Sequence, residues 1–136
     1  SEVEDELRKR GYVKIRKGTW RRFDIRPLQE RWEKGAEALA KILGVDEDSA
    51  YVVYVAWCLL KITNPVARDW RGFNIAHAWA FLRRFYKPKL TLDDINWMSE
   101  RLLKYEEQIR MLGLDYKRIK RRALLLREGE SGERAV

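Results

Sequence analysis

AYVVYVAWCLL, residues 50–60, is apolar at eleven consecutive positions, and its reading as strand or helix decides the fold. Its β-branched and aromatic residues would suit a buried strand. Its flanks point to a helix instead. Asp46-Glu47-Asp48-Ser49 upstream is rich in residues that cap helix N-termini. Downstream the pattern runs on through Lys61 and Ile62 to a stop at Asn64-Pro65. The resulting segment, 48–63, is too long for an ordinary strand. A helix apolar on every side is either central in a bundle or covered by a neighbouring subunit. The run is too short to span a bilayer, which takes about 20 apolar residues.

The flanking sequence supplies partners for that helix. Leu28, Trp32, Ala36, Leu39 and Leu43 recur at helical spacing after Pro27 and stop at Gly44, predicting a helix over 27–43. Asn74 as cap and the stripe Ile75, Ala78, Trp79, Leu82, Phe85 and Tyr86 predict another over 74–87, ended by Pro88. Thr91 with Asp94 three residues on, flanked by Leu90 and Ile95, has the form of a capping box with a hydrophobic staple. The helix it opens, 92–112, carries Ile95, Met98, Leu102, Tyr105, Ile109 and Leu112 on one face. Asp115 caps a last helix with Tyr116, Ile119, Ala123 and Leu126 facing inward. The expected fold is all-α: a bundle of four to five helices over 27–127, with a mobile polar tail at 128–136.

Before the bundle stands RKRGYVKIRKGTWRRFDIR, residues 8–26, with nine Lys or Arg against Asp24 alone. Its formal charge of +8 equals that of the whole 136-residue chain, so the remainder sums to zero. Such concentration directs potential at a polyanion, whereas charge kept for solubility is spread with both signs mixed. The candidate nucleic-acid contacts are Arg8, Lys9, Arg10, Lys14, Arg16, Lys17, Arg21, Arg22 and Arg26. Two conformations compete for this stretch. YVKIR and TWRRF around Lys17-Gly18 have hairpin chemistry, and Gly11 and Gly18 also permit two short helical or irregular pieces. An isolated two-stranded ribbon is marginal in water, which favours residues 1–26 as an extended arm that orders on its partner. Lys117, Arg118, Lys120, Arg121 and Arg122 form a secondary basic patch on the last helix.

Motifs for catalysis are absent. There is no Gly-rich phosphate loop, CxxC, HExxH or nucleophile elbow. The lone His77 has no second His or Cys near it in sequence, Cys58 lies inside the apolar run, and Asp93-Asp94 suits a helix dipole. The expectation is no enzyme, no metal and no cofactor. The acidic opening, Glu2 to Glu6, is unlike a secretory leader. An abundance of Arg, Lys and Glu with few Asn and Gln hints at a hot habitat.

A basic N-terminal arm over Arg8 to Arg26, entry at Pro27, and helices at 27–43, 48–63, 74–87 and 92–112 resemble the layout of the major coat proteins of filamentous and rod-shaped archaeal viruses. That resemblance is architectural and carries no motif, and the helix after Asp115 is a departure from it. It implies a structural protein of the virion whose arms wrap double-stranded DNA without reading sequence. The bodies of such proteins assemble into a helical filament, through self-association or with a paralogous coat protein as heterodimer. Membrane contact would arise only as a virion envelope. Two alternatives remain open on the residues. One is a helix-turn-helix regulator that reads DNA with the helix after Asp115. The other is a small helical subunit of an RNA– or DNA–protein complex.

Overall fold

Helix α4 (Glu47–Ile62) is the axis on which the other elements pack. Asp46 caps it, its carboxylate accepting from the Ser49 N–H at 3.1 Å. In the computed structural model the described residues are 1–67 and 69–135, with 130–135 described by backbone alone. Ala50, Val52, Val53, Val55, Ala56, Leu59 and Leu60 are fully buried, each large aliphatic among them contributing about 1.5–3 kcal/mol. Their cover comes from α3 (Ala36–Leu43), α5 (Ile75–Phe85), α6 (Leu92–Leu102), α7 (Glu106–Met111) and α8 (Tyr116–Ala135), all of which touch α4. Of the two fates open to an all-apolar helix, this one is central, and it needs no second subunit to bury it.

The structure is mostly helical, and three boundaries differ from the sequence reading. The run 27–43 is divided into a 3₁₀ turn Arg26–Leu28, α2 (Gln29–Trp32) and α3. Between α2 and α3, Glu33 adopts φ −75°, ψ 71° and leaves the helix. The run 92–112 is interrupted by a 3₁₀ turn, Leu103–Tyr105, that separates α6 from α7. The capping box that opens α6 is present in full, with Thr91 and Asp94 each accepting from the other's backbone. Finally, α8 carries its helical backbone on to Ala135 rather than giving way to a tail at 128; no proline follows Asp115 to stop it. Val136 and the side chains of 130–135 lie outside the described residues.

The N-terminal segment is ordered. Ser1 caps α1 (Glu2–Lys9), and β1 (Tyr12–Arg16) pairs antiparallel with β2 (Thr19–Arg22) in the register Tyr12↔Arg22, Val13↔Arg21, Lys14↔Trp20. Gly11 (φ +86°) and Gly18 (φ +77°) make the turns, a backbone conformation costly for residues with a Cβ. The fold is thus a helical bundle with one small two-stranded sheet. Of the conformations open to this stretch the structure has the hairpin, and the ribbon is not isolated. Val13 is buried, Phe23 meets the Trp79 ring edge-on at 5.1 Å, and Tyr86 donates its hydroxyl to the Asp24 carbonyl at 2.8 Å.

Candidate nucleic-acid interface

Residues paired across an antiparallel ribbon share a face, so Val13 and Arg21 lie on one side and Lys14 and Trp20 on the other. The first side is turned to the body, where the Arg21 guanidinium stands 5.2 Å from the Trp79 ring centre. The second is turned to α1. There Arg8 stacks on Trp20 at 5.3 Å, and the Lys14 ammonium is 3.5 Å from the Glu4 carboxylate. The hairpin is therefore held between α1 and α5, leaving its tip, Arg16-Lys17-Gly18, in solvent.

All nine cations proposed from the sequence are exposed, but their charges are not equally free. Arg8 pairs with Glu4 and Asp5, and Arg10 with Glu6. Arg22 and Arg26 share Asp24, whose carboxyl the Arg26 hydrogen bonds hold below its ordinary range. Lys9, Arg16, Lys17 and Arg21 have no carboxylate partner among the described residues. Residues 1–26 hold five carboxylates to nine cations, so α1 screens part of the potential that residues 8–26 would have alone. Sequence reading passed over this screening, although the (i, i+4) spacing of Glu4 with Arg8 and Glu6 with Arg10 is its signature. Exposed pairs of this kind contribute little stability and open readily to a phosphate.

The secondary patch on α8 divides. Arg118 donates to Asp48 at 2.6 Å and lies over the Tyr51 ring at 4.4 Å. Arg122 is half-buried, donating to Ser49 Oγ at 3.0 Å and to Asn96 Oδ1 at 2.8 Å. These two side chains fasten α8 to α4 and α6. Lys117, Lys120 and Arg121 face solvent, so any base reading by this helix would rest on those three.

His77 sits at the first turn of α5, its Nδ1 2.7 Å from the Tyr105 hydroxyl. Asp93 is exposed in the first turn of α6, and Asp94 belongs to the capping box. Among the described residues, no group of three or more His, Cys, Asp or Glu side chains could hold a metal ion. Nor is any helix among them long and apolar enough to cross a membrane. No protein-family model, curated protein or solved structure matches this chain.

Proposed function

We propose that this chain binds double-stranded DNA through its phosphate backbone, without reading sequence, and acts structurally as a coat protein, many copies along one duplex. The observation that carries this reading is the basic hairpin. It is a two-stranded ribbon, fastened to a helical body, that exposes Lys14, Arg16, Lys17, Arg21 and Arg22, with Arg8, Lys9, Arg10 and Arg26 exposed on the segments that flank it. Its tip, Arg16-Lys17-Gly18, stands clear of α1 and the body and is open to a phosphate backbone. The ribbon's exposed side chains are suited to phosphates, which position a protein on DNA.

Assembly rests on separate features. Ile42, Met111 and Leu125 are 57%, 78% and 61% exposed, large apolar side chains available to a second copy or a paralogous partner. The buried helix α4 does not add to this argument, since one subunit covers it. The occupied duplex and the filament are the properties expected of a virion component of the archaeal coat-protein kind that the layout resembles.

The test mixes purified protein with unrelated linear duplexes, followed by nuclease digestion and negative-stain imaging. Uniform filaments that protect any duplex along its whole length are the expected result. Short sequence-dependent footprints without filaments would overturn it in favour of a regulator using Lys117, Lys120 and Arg121. Protection of RNA alone would point to a ribonucleoprotein subunit.

A further inference from the structure

Between the N-terminal hairpin and the connector that joins α4 to α5 lies a cleft of about 780 Å³, within the range of small-ligand sites. One wall is fixed by side chains. Gln108 donates to the Gly72 carbonyl at 2.9 Å and accepts from its N–H at 2.5 Å. Thr63 Oγ1 accepts from the Phe73 N–H at 2.8 Å, and the Tyr105 hydroxyl accepts from the Asn74 N–H at 3.1 Å. Gly72 itself has no room for a side chain, since a Cβ there would stand 2.2 Å from Thr63 Oγ1.

Two residues before this pinned segment, Trp70 is 94% exposed. It is also the one non-glycine among the described residues with positive φ, +62°. A bulky side chain in that region is a genuine outlier, and such strain concentrates at sites that engage a partner. The other five tryptophans are all at least half-buried. Only Trp70 holds its indole in water, at the edge of a cleft.

Arg8, Lys14, Arg71 and Lys104 line the cleft against Asp69 and Glu107; Arg8 and Lys14 also pair with Glu4, whereas Arg71 and Lys104 have no carboxylate partner among the described residues. His77 also lines it, with Nδ1 facing the Tyr105 hydroxyl at 2.7 Å and the Asn74 side-chain amide at 3.4 Å. The Asn74 amide nitrogen can only donate, which makes Nδ1 an acceptor for it and for the Tyr105 hydroxyl and leaves the ring N–H on Nε2. Burial, with Lys104 and Arg101 nearby, holds the ring below its ordinary range and hence neutral.

An exposed aromatic platform beside Lys and Arg is the arrangement that holds single-stranded nucleic acid, bases stacking while cations take the backbone. We infer that this cleft binds unpaired nucleotides, one base stacked on Trp70 and the flanking phosphates on Lys14, Arg71 and Lys104. This goes beyond duplex binding by the hairpin, because bases inside a duplex are already stacked on each other. The cleft shares Arg8 and Lys14 with the hairpin surface, so a strand leaving a duplex end or a melted region could pass from one to the other.

The test measures fluorescence anisotropy of a labelled oligothymidylate of about ten nucleotides, near the site size of small single-strand binders. A labelled duplex of mixed sequence is titrated in parallel, against wild type, Trp70→Ala, Trp70→Phe and Lys104→Glu. Loss of one stacked base corresponds to roughly a 5- to 150-fold weakening. Trp70→Ala is expected to weaken the oligothymidylate within that range, with Trp70→Phe retaining most of the affinity and the duplex within about twofold of wild type. Trp70 is exposed, so an unchanged far-UV spectrum and unchanged duplex binding certify the fold. An unaltered oligothymidylate affinity in Trp70→Ala, or an equal loss on both ligands, would overturn the inference. So would Trp70 becoming shielded from a soluble quencher as protein concentration rises without nucleic acid, which would give the cleft to a neighbouring copy. If wild type binds the oligothymidylate and no duplex, the hairpin reading fails and the cleft survives.

Discussion

The indole N–H of Trp57, in the middle of the buried helix α4, donates to the Glu33 carboxylate at 2.6 Å. Lys61, one turn further on, donates to the same carboxylate. Trp57 is 1% exposed, and a buried indole N–H without an acceptor carries a full desolvation penalty. Glu33 meets that need from the residue that ends α2, at φ −75°, ψ 71°. The break between α2 and α3, where Gly35 is the extended N-cap of α3, thus also holds the acceptor for a tryptophan twenty-four positions away.

Glu33→Ala should therefore cost about 1–3 kcal/mol by leaving the Trp57 N–H unpaired, and Glu33→Gln, which keeps an acceptor, about half as much. Burial alone would raise the Glu33 carboxyl, but the hydrogen bonds from Lys61 and Trp57 outweigh it and hold it below the ordinary range. A carboxyl lowered on folding contributes stability above its unfolded value, near 4.3, and that contribution is lost as pH falls through the folded value. Urea midpoints followed from pH 7 down to about 3 should show a smaller acid loss in Glu33→Gln than in wild type. Parallel curves would mean that Glu33 stabilises only as a neutral acceptor.

Gly72 and Gly113 share φ +74° but not their surroundings. A Cβ at Gly113 would meet nothing within 4 Å, whereas at Gly72 it would meet Thr63 Oγ1, Thr63 Cα and the Leu59 carbonyl, all under 3 Å. Gly113→Ala should carry only the left-handed backbone penalty, about 1–2 kcal/mol. Gly72→Ala should add an overpacking cost of about 1–3 kcal/mol. Equal losses in denaturant titrations would mean that the Thr63 turn yields at no cost.

The bundle was legible wherever its causes are local. Asp46, Asn74 and Thr91 cap their helices as their side chains and spacing predict. The helical stripe from Ile95 to Ile109 is buried along its length. What was not legible is non-local. Apolar spacing carries straight across Glu33; Gly35, the N-cap of α3, is a local sign of the break, but nothing near it in sequence announces the indole that Glu33 serves. Spacing likewise carries across Leu103–Tyr105, where a 3₁₀ turn places the Tyr105 hydroxyl against Asn74 and His77. The hairpin was half legible. Gly18 and the alternation around Val13 indicate it, but Trp79 and Tyr86, more than fifty residues on, are what steady it.

Asp94 is 8% exposed and accepts from the Thr91 N–H at 2.9 Å, the Thr91 hydroxyl at 2.9 Å and the Lys87 ammonium at 2.7 Å. Arg84, stacked on Trp97 at 3.5 Å, lies 3.6 Å from its other oxygen. Removing this carboxylate strands two cations as well as the cap. Asp94→Ala should cost about 3 kcal/mol, the range for breaking a charged, mostly buried network. Thr91→Ala should cost about 1 kcal/mol. Because the two share hydrogen bonds, the double variant should lose less than the sum of the singles. Strict additivity in chemical denaturation would mean that the cap and the ion pairs act independently.

On the proposed reading, cations that bind DNA and cations that hold the fold should separate cleanly. Arg16 and Lys17 stand in solvent at the hairpin tip, so their joint reversal to Glu should shift stability by no more than about 0.5 kcal/mol. It should weaken duplex binding equally for unrelated sequences. The slope of log affinity against log salt should flatten by about 0.9 for each phosphate that is no longer neutralised, close to 2 for the pair. Arg118→Ala with Arg122→Ala should do the reverse, lowering the melting temperature by removing the ties to Asp48, Ser49 and Asn96 while leaving that slope unchanged. Glu4→Gln supplies the opposite sign. It frees Lys14 and Arg8 from a shared carboxylate, so duplex affinity should rise at low salt and the gain should fade as salt screens it. A loss confined to one duplex sequence at the hairpin tip, or an unaltered salt slope there, would sink backbone recognition by this ribbon.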